Sequence, residues 1–315
     1  MIISASRRTD IPAFYSTWFM KRLHEGFVLV PNPFNTKQIS KVSLCSKDVE
    51  CFVFWTKNAR PMMKYMETVK KLPCYFQFTI TAYEKDVEPF LPSKKDIIQT
   101  FQELSLQLGK NRIIWRYDPI LLTPKYTIGW HIQKFDEMMR QLAPYTDCCV
   151  ISFLDMYKKT ERNTLSLLLQ PITSEQMQEL AEKMATICRK YHITLQTCAE
   201  DIDLDTLGIC HGACIDKQRI EQVIHCALTV KKDTTQRGRC GCVKSVDIGQ
   251  YNTCMHMCRY CYANFNGQQV KNNCAVHNDD SPLLTGHIPE GAKITERKVE
   301  HWVKSQNSYE EMSLF

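Results

Sequence analysis

The feature that most constrains this chain is an alternation of short apolar runs with longer segments of helical periodicity. The runs cover Ile2–Ala5, 51–55, 75–81, 112–115, Cys148–Phe153 and 193–197. They are rich in Ile, Val, Phe and Tyr and too short for helices. Their almost unbroken apolarity suits strands buried on both faces of a parallel sheet. Between them, Ser93 caps a helix with Ile97, Phe101, Leu104 and Leu108 on one face, and Gly109 ends it. Pro61 suits the first turn of a helix carrying Met62, Met66 and Val69. Thr173 and Gln176 form a capping box ahead of Met177, Leu180 and Met184. Helices also fit 16–24, stopped by Gly26, and Ile128–Leu142. About six strand–helix repeats imply an α/β fold. A closed or nearly closed TIM-like (β/α) barrel is the first expectation and an open doubly wound sheet the second.

The polar residues that follow each run are the first candidates for a site. They are Arg7, Arg8 and Asp10; Lys57 and Asn58; Tyr83; Arg116, Tyr117 and Asp118; Asp155 and Tyr157; and Cys198 and Glu200. In a parallel barrel all of these converge on the C-terminal rim, where active sites are built. Arg7, Arg8, Asp10, Arg116 and Asp118 are the candidate substrate-handling or catalytic residues. A buried arginine needs a partner, and a carboxylate or phosphate ligand is a natural one. Lys57 and Glu200 are expected to bind cofactor.

Sixteen cysteines are the second signal. Met1-Ile2-Ile3-Ser4 reads as the start of a strand and not as a signal peptide. A cytoplasmic location, with reduced thiols or metal ligands in place of disulfides, is therefore expected. Cys45, Cys51, Cys74, Cys148, Cys149, Cys188 and Cys226 show no ligand spacing and are expected to pack as small hydrophobes. Cys254, Cys258 and Cys261 differ. Their C-x3-C-x2-C spacing, with Tyr260 before the last cysteine, lets three thiolates on one tight loop hold three irons of a four-iron, four-sulfur (4Fe-4S) cubane. The fourth iron is left open, as a catalytic centre requires. His256, within the loop, is expected to be an exposed histidine, as are His211 and His277.

Cys198, Cys214, Cys240 and Cys242 remain. Cys240-Gly241-Cys242 is a tight chelating pair, and four thiolates would close a second 4Fe-4S cluster or a zinc site, with unligated thiols the remaining alternative; Cys210 is an alternative to Cys214. The expected organisation is a barrel domain over 1–265 with the iron–sulfur loop at its C-terminal end, then a tail over 266–315 packing on it. In that tail Asn272, Asn273, Asn278 and Asp279 read as loop, with a short helix around 295–305 and Cys274 incidental.

The stretch Thr253-Cys254-x3-Cys258-x-Tyr260-Cys261-Tyr262-Ala263 resembles the cluster loop of the radical S-adenosylmethionine superfamily, and especially of the spore photoproduct lyase group. The resemblance implies that the open iron binds S-adenosylmethionine, that Tyr260 lies beside the adenine, and that a low-potential donor such as flavodoxin or ferredoxin supplies electrons. It implies a 5′-deoxyadenosyl radical acting on a substrate, small or macromolecular, that the motif does not identify. The whole chain also resembles a bacterial and archaeal family known as a domain of unknown function. The shared motifs are Ser6-Arg7-Arg8-Thr9-Asp10-Ile11-Pro12-Ala13-Phe14-Tyr15, Asn32-Pro33-Phe34-Asn35, Phe54-Trp55-Thr56-Lys57-Asn58 and Trp115-Arg116-Tyr117-Asp118-Pro119. In the radical superfamily the cluster loop follows the first barrel strand. Here it follows the last, around 245–248, so a circularly permuted barrel is expected.

Composition adds limits. With 44% hydrophobic and 23% charged residues the chain is ordinary globular material. No apolar stretch is long enough to span a membrane. A net charge of +6 permits an anionic substrate or nucleic acid without arguing for either. The alternative function is a zinc- or cluster-bearing binding or electron-transfer protein, associated with nucleic acid, without radical catalysis.

Overall fold

The structure, a computed structural model, describes residues 1–156 and 158–303; Tyr157 lies outside them. Eleven strands occur in that range. They are β1 (Ile2–Ala5), β2 (Phe27–Asn32), β3 (Asn35–Ser43), β4 (Cys51–Thr56), β5 (Cys74–Thr79), β6 (Ile113–Ile120), β7 (Cys148–Phe153), β8 (Thr194–Cys198), β9 (Cys210–Gly212), β10 (Val246–Asp247) and β11 (Lys293–Glu296). Eight form one sheet in the order β10-β1-β4-β5-β6-β7-β8-β9, and every pairing in it is parallel. Among the described residues no ladder joins β9 to β10. The strand ahead of the cysteine loop thus sits beside the first strand of the chain, with Ile3 opposite Val246.

Side chains alternate across a strand, so each strand feeds two cores. One face presents Phe52, Phe54, Phe76, Phe78, Trp115, Tyr117 and Ile151 to the helices. Their packing faces include Trp18 and Phe19, Phe101 and Leu104, Phe135 and Met139, and Leu180 and Met184. The helix Lys94–Leu108 is capped by Ser93, which accepts from Asp96 N, and ends at Gly109. Ser174–Lys190 carries the Thr173–Gln176 capping box. The other face presents Ile2, Cys51, Val53, Tyr75, Ile114, Cys148 and Val150. It is covered by Ile215, Ile220, Leu228, Val230 and Val243, from the long excursion between β9 and β10.

The structure corrects three expectations. The 60–69 segment is a 3-10 helix, Arg60–Tyr65, followed by one α-turn, Met66–Val69. Asn272 and Asn273 are helical, within Gly267–Ala275: Asn266 caps that helix and buried Val270 anchors it. The expected helix around 295–305 does not form over its described part: Thr295 and Glu296 end β11, and residues 297–303 follow without helix. Pairing with β3 supplies backbone partners that a short, polar, weakly amphipathic helix could not match. β11 and the β2–β3 hairpin form a separate three-stranded sheet that the apolar-run pattern missed. Of the seven cysteines expected to be buried, Cys51, Cys74, Cys148, Cys149 and Cys188 are, while Cys45 and Cys226 are half-buried. Among the described residues no helix is long and apolar enough to cross a membrane.

Candidate functional site

Because the strands are parallel, their C-terminal ends meet on one rim. The Cys254–Cys261 loop lies across the β1–β4–β5 part of that rim, and its own backbone bonds shape it. Asn252 donates to Ala263 O, Cys261 N donates to Cys258 O, and Asn264 Nδ2 donates to Cys254 O at 2.7 Å. Asn252 and Met257 take left-handed φ values of 57° and 54°, which turns the chain sharply on either side of Cys254. Tyr15 anchors the loop from behind, its hydroxyl donating to Thr253 O at 2.6 Å. Cys274, expected to be incidental, lies 3.3 Å from that hydroxyl.

Asp10 is the link between β1, β4 and the loop. It accepts from Ala13 N at 2.9 Å as a helix cap, from Lys57 N at 2.7 Å, and pairs with His256 Nε2 at 2.9 Å. His256 is therefore buried, against the expectation of an exposed loop histidine: the Asp10 carboxylate and the Phe14 ring, 4.5 Å away, give it a built seat. His211 and His277 are half-buried, bonded to Thr197 and to Leu284 O.

Lys57 ends β4 and Tyr260 sits in the loop. Both meet Glu88, a residue the sequence reading missed. Lys57 Nζ lies 2.7 Å from Glu88 Oε1 and 5.6 Å from the Tyr260 ring centre. Tyr260 donates to the same oxygen at 2.5 Å and Thr81 at 2.7 Å, while Lys94 holds the other oxygen. Burial alone would raise the Glu88 pKa; Lys57 and Lys94 outweigh it and hold the carboxyl at about 2.

Cys258 is buried and Cys254 and Cys261 are half-buried. Burial pushes the free Cys258 thiol up to about 12, with Lys57 pulling the other way, so metal binding there must displace protons. Among the described residues no three His, Cys, Asp or Glu side chains converge on a position for a single ion. Three thiolates on one loop are the donor type that both an iron–sulfur cluster and zinc take.

The rest of the rim gathers the other candidates. Arg116 and Asp118 form a buried pair, and Asp118 also accepts from Ser152. Glu200 accepts from Phe153 N at 3.0 Å. Arg116 Nη1 reaches Cys214 Sγ at 3.1 Å, and Cys214 Sγ lies 3.2 Å from Cys198 Sγ. Cys240 and Cys242 adjoin that pair, whereas Cys210 is exposed. Arg7 packs its guanidinium over Trp55 and bonds Gln236 at 2.8 Å; Arg8 lies over Tyr251, 5.1 Å from the ring centre. Both arginines line a cavity of about 460 Å³ with Asp247, Tyr251, Tyr262 and Ser245, beside the cysteine loop. Asp247 was not foreseen. It accepts from Ser4, Ser6, Arg7 N and Gly249 N at 2.6–2.9 Å, tying β10 to the turn after β1.

Residues 2–263 match a family model described as a domain of unknown function, DUF1848. The chain belongs to the DUF1848 family. Nothing among curated proteins matches this DUF1848 chain. Among solved structures, a provisionally assigned alpha-L-fucosidase from Bacteroides thetaiotaomicron is similar at a TM-score of 0.25 and 10% identity. The likeness covers 58% of the DUF1848 chain and 84% of the other; at that score it carries no argument.

Proposed function

We propose that the protein is a radical S-adenosylmethionine enzyme whose Cys254, Cys258 and Cys261 hold a 4Fe-4S cluster with one open iron. The observation that supports this best is the seat of the loop. Three cysteines on a turn with two left-handed residues lie on the C-terminal rim of a parallel sheet, beside a cavity lined by arginine, tyrosine and aspartate. Reduced and loaded, such a site supplies the electron that cleaves S-adenosylmethionine into methionine and a 5′-deoxyadenosyl radical.

The chain's own residues have definable tasks. Lys57 places a cation beside Cys258 and offsets thiolate charge. Glu88 fixes Lys57 and Tyr260 together, presenting the tyrosine ring at a set angle next to the loop. Asp10 and His256 brace the loop from below. Arg7 and Arg8, held by stacking on Trp55 and Tyr251, offer positive charge to a carboxylate or phosphate in the cavity. The rim position is the one that barrel enzymes use for chemistry. The placement of β10 beside β1 is the order a circularly permuted barrel requires.

The test is spectroscopic. Adding S-adenosylmethionine to the anaerobically reconstituted, reduced protein should change the paramagnetic resonance spectrum of the cluster, because the ligand occupies the open iron. An unchanged spectrum from an intact cluster would sink the assignment.

A further inference from the structure

We propose that Cys198, Cys214, Cys240 and Cys242 hold a second iron–sulfur cluster, with every iron bound by a protein thiolate. The four come from three separate places: the end of β8, the loop after β9, and the turn that leads into β10. The fold brings them together without help from a metal. Cys198 Sγ and Cys214 Sγ are 3.2 Å apart, Cys214 adjoins Cys242, and Cys242 adjoins Cys240.

The backbone around them is fixed by bonds that do not involve the sulfurs. Cys214 O accepts from the Tyr75 hydroxyl at 2.7 Å and from Gln77 Nε2 at 2.9 Å. Val243 N donates to Ile215 O and Asp233 N to Cys242 O. The Cys240–Cys242 turn lies against the end of β9 closely enough that a Cβ on Gly241 would stand 3.2 Å from Gly212 O. A glycine between the two cysteines is what that approach demands.

Charge points the same way. Arg116 is 5% exposed, and one of its nitrogens lies 3.1 Å from Cys214 Sγ. Arg7 also lies within electrostatic reach of Cys242 and Cys214. Among the described residues no carboxylate oxygen lies within 4.0 Å of the Arg7 guanidinium, and its buried Nε has no hydrogen-bond partner. Asp247 is its nearest carboxylate influence, and neutral thiols would leave the side of the guanidinium toward Cys214 and Cys242 uncompensated. Four thiolates on a cubane are net negative and supply the counter-charge. A cluster closed by four thiolates takes and gives single electrons and has no iron left for substrate.

This proposal stands independently of the S-adenosylmethionine reading, and its test separates the two. The full chain carrying Cys254→Ala, Cys258→Ala and Cys261→Ala is purified without oxygen, and its iron, sulfide and zinc are measured. It should retain roughly half the iron and sulfide of the parent, one of two four-iron clusters. After reduction it should give a paramagnetic spectrum that S-adenosylmethionine leaves unchanged. The Cys198→Ser/Cys240→Ser variant should keep the other half and respond to S-adenosylmethionine. Native mass spectrometry of the unsubstituted protein guards against misfolded variants: a mass increment of two clusters supports the proposal, and a single cluster that the Cys198→Ser/Cys240→Ser variant keeps overturns it. Zinc in place of iron, or a Cys198–Cys214 disulfide in the anaerobic protein, also overturns it.

Discussion

The Tyr260 hydroxyl donates to Glu88 Oε1 at 2.5 Å, joining the cysteine loop near the end of the chain to the loop after β5. The same carboxylate holds Lys57 and Lys94, so one buried anion serves two lysines, a tyrosine and Thr81. Through it the cysteine loop is coupled to the sheet and not merely laid over it.

Glu88→Gln keeps the shape and removes the charge. Lys57 and Lys94 then lose their counter-ion in a buried setting. Breaking a buried pair from one side costs roughly 3–5 kcal/mol. Urea denaturation should show a loss of that order, with faster iron release from the cluster loop. A change below about 1 kcal/mol, the range of exposed ion pairs, would show that Glu88 does not brace the loop.

His131 predicts a pH dependence. It lies fully buried between the Tyr117 hydroxyl, 2.9 Å from Nδ1, and Leu121 O, 2.9 Å from Nε2. The tyrosine donates to Nδ1 and Nε2–H donates to the carbonyl, an arrangement that needs the neutral ring. Burial lowers its pKa to about 4 from an ordinary 6.5. A depressed histidine pKa contributes stability that is present above pH 6.5 and lost as the pH falls toward 4. The full contribution is about 3 kcal/mol. The parent protein should therefore be more stable than His131→Gln at pH 7, and the gap should narrow steadily to pH 4.5. A gap independent of pH would contradict the assignment.

Gly249 follows Asp247 at the entrance to the cysteine loop. A Cβ there would lie 2.0 Å from Ser6 Oγ, which itself donates to Asp247. Gly249→Ala must push Ser6 off its acceptor or move β10 from β1. Overpacking of this kind costs roughly 1–3 kcal/mol. Thermal denaturation should show the loss, and Ser6→Gly in the same chain should recover part of it by removing both the hydroxyl and the Cβ, which would stand 2.5 Å from the new methyl. No recovery would mean that the strain lies elsewhere.

Much of the fold was legible because its strands are buried on both faces, so β1, β4, β5, β7 and β8 stand out as apolar runs flanked by readable caps such as Ser93 and Thr173. The β2–β3 hairpin and β11 were not legible. Asn35, Thr36, Lys37 and Gln38 are exposed, and a strand of that kind is defined by its partner and not by its own pattern. In the site, cysteine spacing located the loop, and strand-end position brought Arg7, Asp10, Lys57 and Arg116 to the rim. Glu88, Asp247 and the burial of His256 were invisible, since each depends on contacts between segments far apart in the chain. A carboxylate's partners cannot be read from its neighbours in sequence.

The central claim is that Cys254, Cys258 and Cys261 carry a cluster that cleaves S-adenosylmethionine. The direct measurement is 5′-deoxyadenosine and methionine released when the anaerobically reconstituted protein is incubated with dithionite and S-adenosylmethionine. The unsubstituted protein should form both, and Cys258→Ala should form neither while its fold, followed by circular dichroism, stays unchanged. A fully loaded cluster that yields no 5′-deoxyadenosine would contradict the account.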